Sequence, residues 1–389
     1  MQYRTNPKNG DKISILGYGC MRFSRTAGVA VNQKKTEEEM TAALEAGVNY
    51  FDTAYIYPGS EAALGRFLAK GYRDRVFLAT KLPHYQCRSF ADFDRLFSEQ
   101  LSRLQTDYID YYLIHMLSDT DSWKRLQQLG IEKWIAEKKA SGAIRNIGFS
   151  YHGGTTEFKA VADCYSWDFC QIQLNYMDES TQAGVSGLLY AAEKGLPVII
   201  MEPLRGGRLA NLPKTAARYL PKDANAADLA FRWLWNFPEV TCVLSGMNDI
   251  RQVEENVASA CRGGGLSDEE AAALESIKAE LEADIQVPCT GCGYCMPCPK
   301  GVMIPSCFAA YNQAFCDGRI HALITYIMTT SLGERPGFAS QCVKCGKCET
   351  HCPQHILIRD ELENAAAVLE GPLFKMGKRG ARFVLKMRK

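Results

Sequence analysis

Ile15-Leu-Gly-Tyr-Gly-Cys-Met-Arg22 is the stretch on which the fold turns. Its apolar start and its glycines, Gly17 and Gly19, could open a nucleotide-binding turn of an open, doubly wound sheet. That turn needs a third glycine three residues after the second, where the following helix packs on the strand. Position 22 holds Arg22 instead. Ile15–Met21 therefore reads as a plain buried strand, and a closed sheet becomes the better frame for it.

Seven more strand-length runs follow: Tyr50–Ala54, Val76–Lys81, Tyr108–His115, Ile144–Ser150, Phe169–Asn175, Pro197–Pro203 and Thr241–Met247. Segments with helical spacing lie between them, among them TEEEMTAALEAG, FADFDRLFSEQLSRL and DIRQVEENVASA. DSWKRLQQLGIEKWIAEKKASG reads as one long helix. Several helices stop at a glycine (Gly47, Gly142, Gly195), as helix C-termini prefer. Strand–helix alternation implies parallel pairing, and eight such units in about 260 residues predict an α/β protein of the (β/α)8 TIM-barrel type. The expected limits are a barrel over 1–265, a helical linker over 266–286 that includes Asp268–Ala283, a cysteine-rich domain over 287–360 and a basic C-terminal tail over 361–389.

The chain has 389 residues, and a length of this order favours two unequal domains. Its formal net charge of +1 offers no bulk attraction for nucleic acid. No apolar run approaches the roughly 18 residues of a membrane span. MQYRTNPKNG has no apolar segment behind its charges, so a secretory signal is not expected and a cytoplasmic location is.

Sixteen cysteines in a long chain without secretion signals point to metal or redox use. Ten of them crowd between Cys289 and Cys352. Cys342-x2-Cys345-x2-Cys348-x3-Cys352-Pro353 has the spacing by which a bacterial ferredoxin presents three thiolates to one cubane and the fourth to its neighbour. Cys289-x2-Cys292-x2-Cys295-x2-Cys298-Pro299 is one residue shorter. Crossed ligation gives Cys289, Cys292, Cys295 and Cys352 to one [4Fe-4S] cluster, and Cys298, Cys342, Cys345 and Cys348 to a second. Paired zinc knuckles would leave cysteines over in each run. Cys307 and Cys316 fit neither run and read as buried apolar residues. Helical patterns between the runs suggest a small α-helical dicluster ferredoxin-like domain.

Chemistry in such barrels sits where strands end. Asp52, Lys81, His115, Ser150, Asn175 and Glu202 end successive strands, with Tyr57 in the loop after the second. A lysine held beside a carboxylate can lower a phenol from its ordinary pKa of about 10, letting Tyr57 donate a proton near neutrality. A histidine can orient the substrate oxygen. Gly206-Gly207, between Arg205 and Arg208, could receive a phosphate.

FDTAYIYPGSEAALG (Phe51–Gly65), LATK, YYLIH and IGFS resemble the aldo-keto reductase family over about Ile13–Ala260. The barrel followed by PCTGCGYCMPCPKGV resembles the family's ferredoxin-fused bacterial branch. The resemblance implies reversible carbonyl/alcohol hydride transfer with NADP(H) or NAD(H), with Tyr57 as general acid/base, Lys81 and Asp52 as its tuning pair and His115 at the substrate oxygen. Ser150 and Gln171 match contacts to the nicotinamide carboxamide. Met201 stands where the family often stacks a tyrosine, and Leu204 falls in the loop that follows. Gly246 and Met247 replace a lysine and serine that often grip the 2′-phosphate. Gln252, beside Arg251, replaces an arginine, and Asn256 matches an adenine contact. The expected substrate is a small carbonyl or alcohol, in an anaerobic or low-oxygen cell. Cubanes carry one electron and hydride two, so a ferredoxin- or flavodoxin-like partner is the expected correspondent for the clusters. Clusters that are structural or sensory, or a degenerate barrel acting as a carrier or binding module, remain the rival readings.

Overall fold

The structure, a computed structural model, describes the chain except residues 27–29, 154, 181, 223, 284, 290, 292, 294, 317, 332–336, 353 and 375–389. Two compact units emerge: 1–212 with 220–272, and 213–219 with 273–389.

The first unit is a closed barrel of eight parallel strands paired in chain order: β1 Leu16–Gly19, β2 Tyr50–Asp52, β3 Phe77–Leu82, β4 Ile109–Leu117, β5 Ile144–Tyr151, β6 Phe169–Gln173, β7 Val198–Met201 and β8 Val240–Ser245. The helices are α1 Gln33–Glu45, α2 Ser60–Leu68, α3 Phe90–Leu104, α4 Thr120–Gln128, α5 Ile131–Ala140, α6 Thr155–Asp163, α7 Gly184–Glu193, α8 Ala226–Trp235 and α9 Ile250–Arg262. The opening stretch has a packing role. A Cβ on Gly17 would come within 2.8 Å of Cys242 Sγ and of a Leu244 methyl, so this position of β1 has no room for a side chain.

Alternation along the strands decides what faces inward. Tyr50, Ala79, Tyr111, Leu113, Phe169 and Ile199 form the packed interior. Two residues further along the same strands stand Asp52, Lys81, His115, Gln171 and Met201. The period that fills the barrel thus delivers the polar set to its C-terminal rim. Residues between them, such as Phe51, Ile114 and Phe149, pack outward against the helices.

Local differences from expectation have local causes. The single helix expected after β4 is two, because Gly130 takes φ +88° and caps α5. Strand β7 ends at Met201, not at Pro203, since Glu202 turns to φ +54°. Strand β4 runs past His115 to Leu117 through a register shift. An antiparallel hairpin, Tyr3–Thr5 with Lys12–Ser14, was too short to show a period and went unread.

The second unit holds most of α10 (Asp268–Ala283), then α11 Ile304–Cys316, α12 Arg319–Ser331 and α13 Ile358–Leu369 around one apolar core. Helix α13 crosses the expected tail limit at 360/361. Leu362, Ala365 and Leu369 form a buried face, and Phe374 is also buried, against Tyr326 and Phe338. The Ala-rich composition had concealed that face. The remainder of the basic tail, 375–389, lies outside the described residues. Among the described residues no helix is long and apolar enough to cross a membrane.

Candidate functional site

At the rim, Lys81 Nζ lies 2.6 Å from each Asp52 carboxylate oxygen and donates to the Thr53 carbonyl at 2.7 Å. Lys81 is 1% exposed and Asp52 4%, so the ammonium spends its three donors without water. Burial pushes the Asp52 carboxyl up, and Lys81 pulls against it. A buried polar layer backs the pair. Glu61 accepts from Thr80 Oγ1 at 2.7 Å and from Gln100 Nε2 at 2.8 Å, and Gln100 also donates to the Lys81 carbonyl at 3.1 Å.

Tyr57 is part-buried above this pair, its ring centre 5.5 Å from Lys81 Nζ. The His115 ring meets it edge-on at 6.2 Å. The phenol does not follow the expected direction. Burial, then the charges of Asp52 and Glu202, push Tyr57 above its ordinary value. The residue is therefore held protonated, as a donor must be.

His115 is 4% exposed and its Nδ1 has no hydrogen-bond partner among the described residues. Burial, then Lys81, His152 and His84, lower its pKa from 6.5 to about 2. The unfolded chain takes a proton on this ring near 6.5 and the folded chain only near 2, so across that window the unfolded state holds more protons. Stability contributed by neutral His115 is complete above about pH 6.5 and declines as pH falls below it. Thermal melts of His115→Gln should show a shallower acid limb between about pH 4 and 6.5 than the parent chain; equal slopes would contradict the burial argument.

Ser150 and Gln171 are neighbours in register between β5 and β6. Ser150 is fully buried, and its Oγ accepts from the Met116 backbone N–H at 2.8 Å, which leaves the hydroxyl proton to donate. Gln171 is 1% exposed, with Oε1 lacking a partner among the described residues. One free donor beside one orphaned acceptor matches a primary carboxamide, which offers a carbonyl oxygen and an NH2. A nicotinamide fits this pair.

The other residues singled out from the sequence spread over the rim. Met201 and Leu204 are part-buried at the end of β7 and in the loop after it. Asn175 caps its own turn by accepting from Met177 N and Asp178 N and donates to Asp178 and to the Glu202 carbonyl. Arg22, missed from the sequence, runs its side chain from Gly246 to Gly206, reaching within 3.2 Å of where a Cβ would stand on either glycine. Gln252 Oε1 accepts from Asn248 N at 3.0 Å, and Asn256 donates to Ser245 Oγ at 3.1 Å. Gln252 lines a cleft of about 730 Å³ with Arg25, Lys35, Asn248, Arg251 and Glu255.

In the second unit, Cys289, Cys295 and Cys352 line one cavity, although Cys352 comes from the other run. The Cys348 thiol is pushed up by burial first and, among smaller causes, by the charges of Cys342 and Cys298, so these three sulfurs are close enough to interact. Cys345 is exposed. Cys292 lies outside the described residues, as does the side chain of Cys316; Cys307 is buried, as expected. No described cysteine is in a disulfide.

Barrel and rim together define a TIM-barrel enzyme joined to a cysteine-rich module. The chain belongs to the aldo/keto reductase family, whose model matches residues 15–279, and a 4Fe-4S dicluster domain model matches 288–357. It is therefore an oxidoreductase of aldo/keto reductase type with a 4Fe-4S domain. It is 26% identical over 303 residues to the uncharacterized oxidoreductase YrpG of Bacillus subtilis, covering 66% of this chain and 90% of that one. It is 28% identical to L-galactose dehydrogenase of Arabidopsis thaliana, over 67% of this chain and 88% of that one. Among solved structures, the holo form of aldo-keto reductase AKR11C1 from Bacillus halodurans matches with a TM-score of 0.60 at 26% identity, over 71% of this chain and 96% of that one. An aldo/keto reductase from Klebsiella pneumoniae in complex with NADP and acetate shares the fold, with a TM-score of 0.57 at 24% identity, over 72% of this chain and 96% of that one.

Proposed function

We propose that the barrel interconverts a small carbonyl compound and its alcohol, with Tyr57 as general acid/base, and that the second unit holds two [4Fe-4S] clusters. The buried Lys81–Asp52 pair beneath Tyr57, with His115 edge-on to the same ring, carries the reading.

The reaction needs a proton at the carbonyl oxygen as the carbon is reduced. Tyr57 holds that proton, and Lys81, its Nζ 5.5 Å from the ring centre, would stabilise the phenolate left behind. Asp52 fixes Lys81 in place. Neutral His115 can hydrogen-bond the substrate oxygen without competing for the proton. A nicotinamide, when bound, supplies or removes the hydride; Ser150 would donate to its carboxamide oxygen and Gln171 would accept from its NH2. Arg25, Lys35 and Arg251 around the cleft suit the phosphorylated cofactor, in place of the cations absent at Gly246, Met247 and Gln252, and NADP is what the Klebsiella relative contains. Gln171→Leu should weaken NADPH binding by ~3–10-fold in fluorescence titration, the loss of one buried hydrogen bond. An unchanged dissociation constant would count against this placement of the carboxamide.

For the clusters, the shared cavity of Cys289, Cys295 and Cys352 and the proximity of Cys298 to Cys342 and Cys348 support crossed ligation, with Cys292 and Cys345 completing the two sets. When bound, the clusters carry single electrons. We assign them to exchange with a ferredoxin- or flavodoxin-like partner.

A further inference from the structure

Tyr57 and Lys81 come from different βα units, so their separation is set by contacts between those units. Tyr57 lies in a turn that closes on the start of α2. Its N–H donates to the Ala54 carbonyl at 3.0 Å, and its carbonyl accepts from the Ser60 N–H at 3.1 Å. Lys81 stands near the end of β3. Glu61, the second residue of α2, is 2% exposed and faces that strand.

The Glu61 carboxylate ties three elements together. Its Oε1 accepts from Oγ1 of Thr80, the residue before Lys81, at 2.7 Å, and from Gln100 Nε2 on α3 at 2.8 Å. Gln100 is fully buried, and the Tyr112 hydroxyl donates to its Oε1 at 2.6 Å. That contact turns Nε2 toward Glu61 and the Lys81 carbonyl, to which it donates at 3.1 Å. Glu61 Oε2 accepts at 3.2 Å from Nη1 of Arg103, one turn further along α3. The Arg103 guanidinium lies 4.4 Å from the ring centre of Tyr55, whose hydroxyl donates to Glu99 at 2.9 Å. Both sides of the Tyr57 turn are thus fastened to α3, and α3 is fastened to the backbone of Lys81. A buried carboxylate is costly unless donors fill its lone pairs, and here three do. An apolar side chain would pack α2 on β3 as well, so stability alone does not call for a charge here.

We propose that Glu61 is a positioning residue for carbonyl reduction, setting the separation of Tyr57 from Lys81 by locking the Tyr57 turn to the strand that carries the lysine. The inference rests on the roles given above to Tyr57 and Lys81. The ammonium stabilises the phenolate only while it stays close, and a displacement of about 1 Å can cost about 10²-fold in rate.

The test compares Glu61→Leu, which loses every tie, with Glu61→Gln, whose amide oxygen can still accept from Thr80 and Gln100. With 4-nitrobenzaldehyde as probe and NADPH as reductant, Glu61→Leu should lower kcat by about 10²-fold and leave NADPH affinity within about twofold. Glu61→Gln should keep kcat within about tenfold of the parent, the effect of one hydrogen bond. In a Tyr57→Phe background, Glu61→Leu should cost less than about threefold, because residues that act as a unit are not additive. A purely structural role would lower both backgrounds alike. In protein with tyrosine isotopically labelled at Cζ, the Tyr57 resonance, assigned by its loss in Tyr57→Phe, should move in Glu61→Leu and stay near the parent position in Glu61→Gln. Equal losses in the two backgrounds, a parent-like kcat in Glu61→Leu, or a Tyr57 resonance that stays in place there would overturn the proposal. If Glu61→Leu does not fold, Thr80→Val takes its place: it removes one tie with little change of shape and should lower kcat and move the same resonance, and parent values for both would overturn the proposal. A parent chain that reduces no aldehyde would instead refute the role of Tyr57, while the resonance still decides whether Glu61 sets its position.

Discussion

Tyr57→Phe is expected to lower carbonyl reduction by ~10²–10⁴-fold, the usual worth of a positioned acid, while NADPH affinity stays within about twofold. The substitution removes one oxygen and keeps the ring that meets His115 at 6.2 Å and covers Lys81. Loss of rate without loss of cofactor binding would separate proton donation from scaffolding. Retention of more than about a tenth of the parent rate would mean that another group donates the proton. A degenerate barrel acting only as a carrier makes the opposite forecast, since no reductase activity would exist to lose.

The second large effect concerns the clusters. Anaerobically prepared chain should contain about eight irons, four per cubane. Cys352→Ala should lose the cluster that Cys289→Ala loses, although the two cysteines are far apart in sequence, because they line one cavity. Cys298→Ala should lose the other, together with Cys342→Ala. The residual paramagnetic resonance spectra of reduced protein should therefore sort by crossed set. Sorting by run, with Cys352→Ala matching Cys348→Ala, would refute the crossed assignment. NADPH-driven turnover in these variants addresses the clusters' job: turnover that survives cluster loss favours a structural or sensory role over electron relay.

Much of the barrel was legible because its information is periodic. Inward alternation on Tyr50–Asp52, Ala79–Lys81 and Leu113–His115 both closes the sheet and lifts the polar residues to one rim. Cysteine spacing is equally local. What stayed hidden acts through the backbone or through a single residue. Nothing about a methionine announces φ +58° at position 116. Gly130 stood in plain view, yet the apolar pattern continued across it and concealed the break between α4 and α5. At the cofactor end, matching positions one by one showed cations missing at Gly246, Met247 and Gln252. It did not show that Arg25 and Lys35 reach the same cleft from the first βα unit.

The central claim is that this barrel performs hydride chemistry on a carbonyl, with the iron–sulfur unit an addition to a complete proton-transfer set. The most direct measurement uses NADPH deuterated at both C4 positions, 4-nitrobenzaldehyde and the intact anaerobic protein, with mass spectrometry of the alcohol formed. The account predicts one deuterium on the carbinol carbon. An alcohol without deuterium, or one formed only when a reduced one-electron donor is supplied, would contradict it.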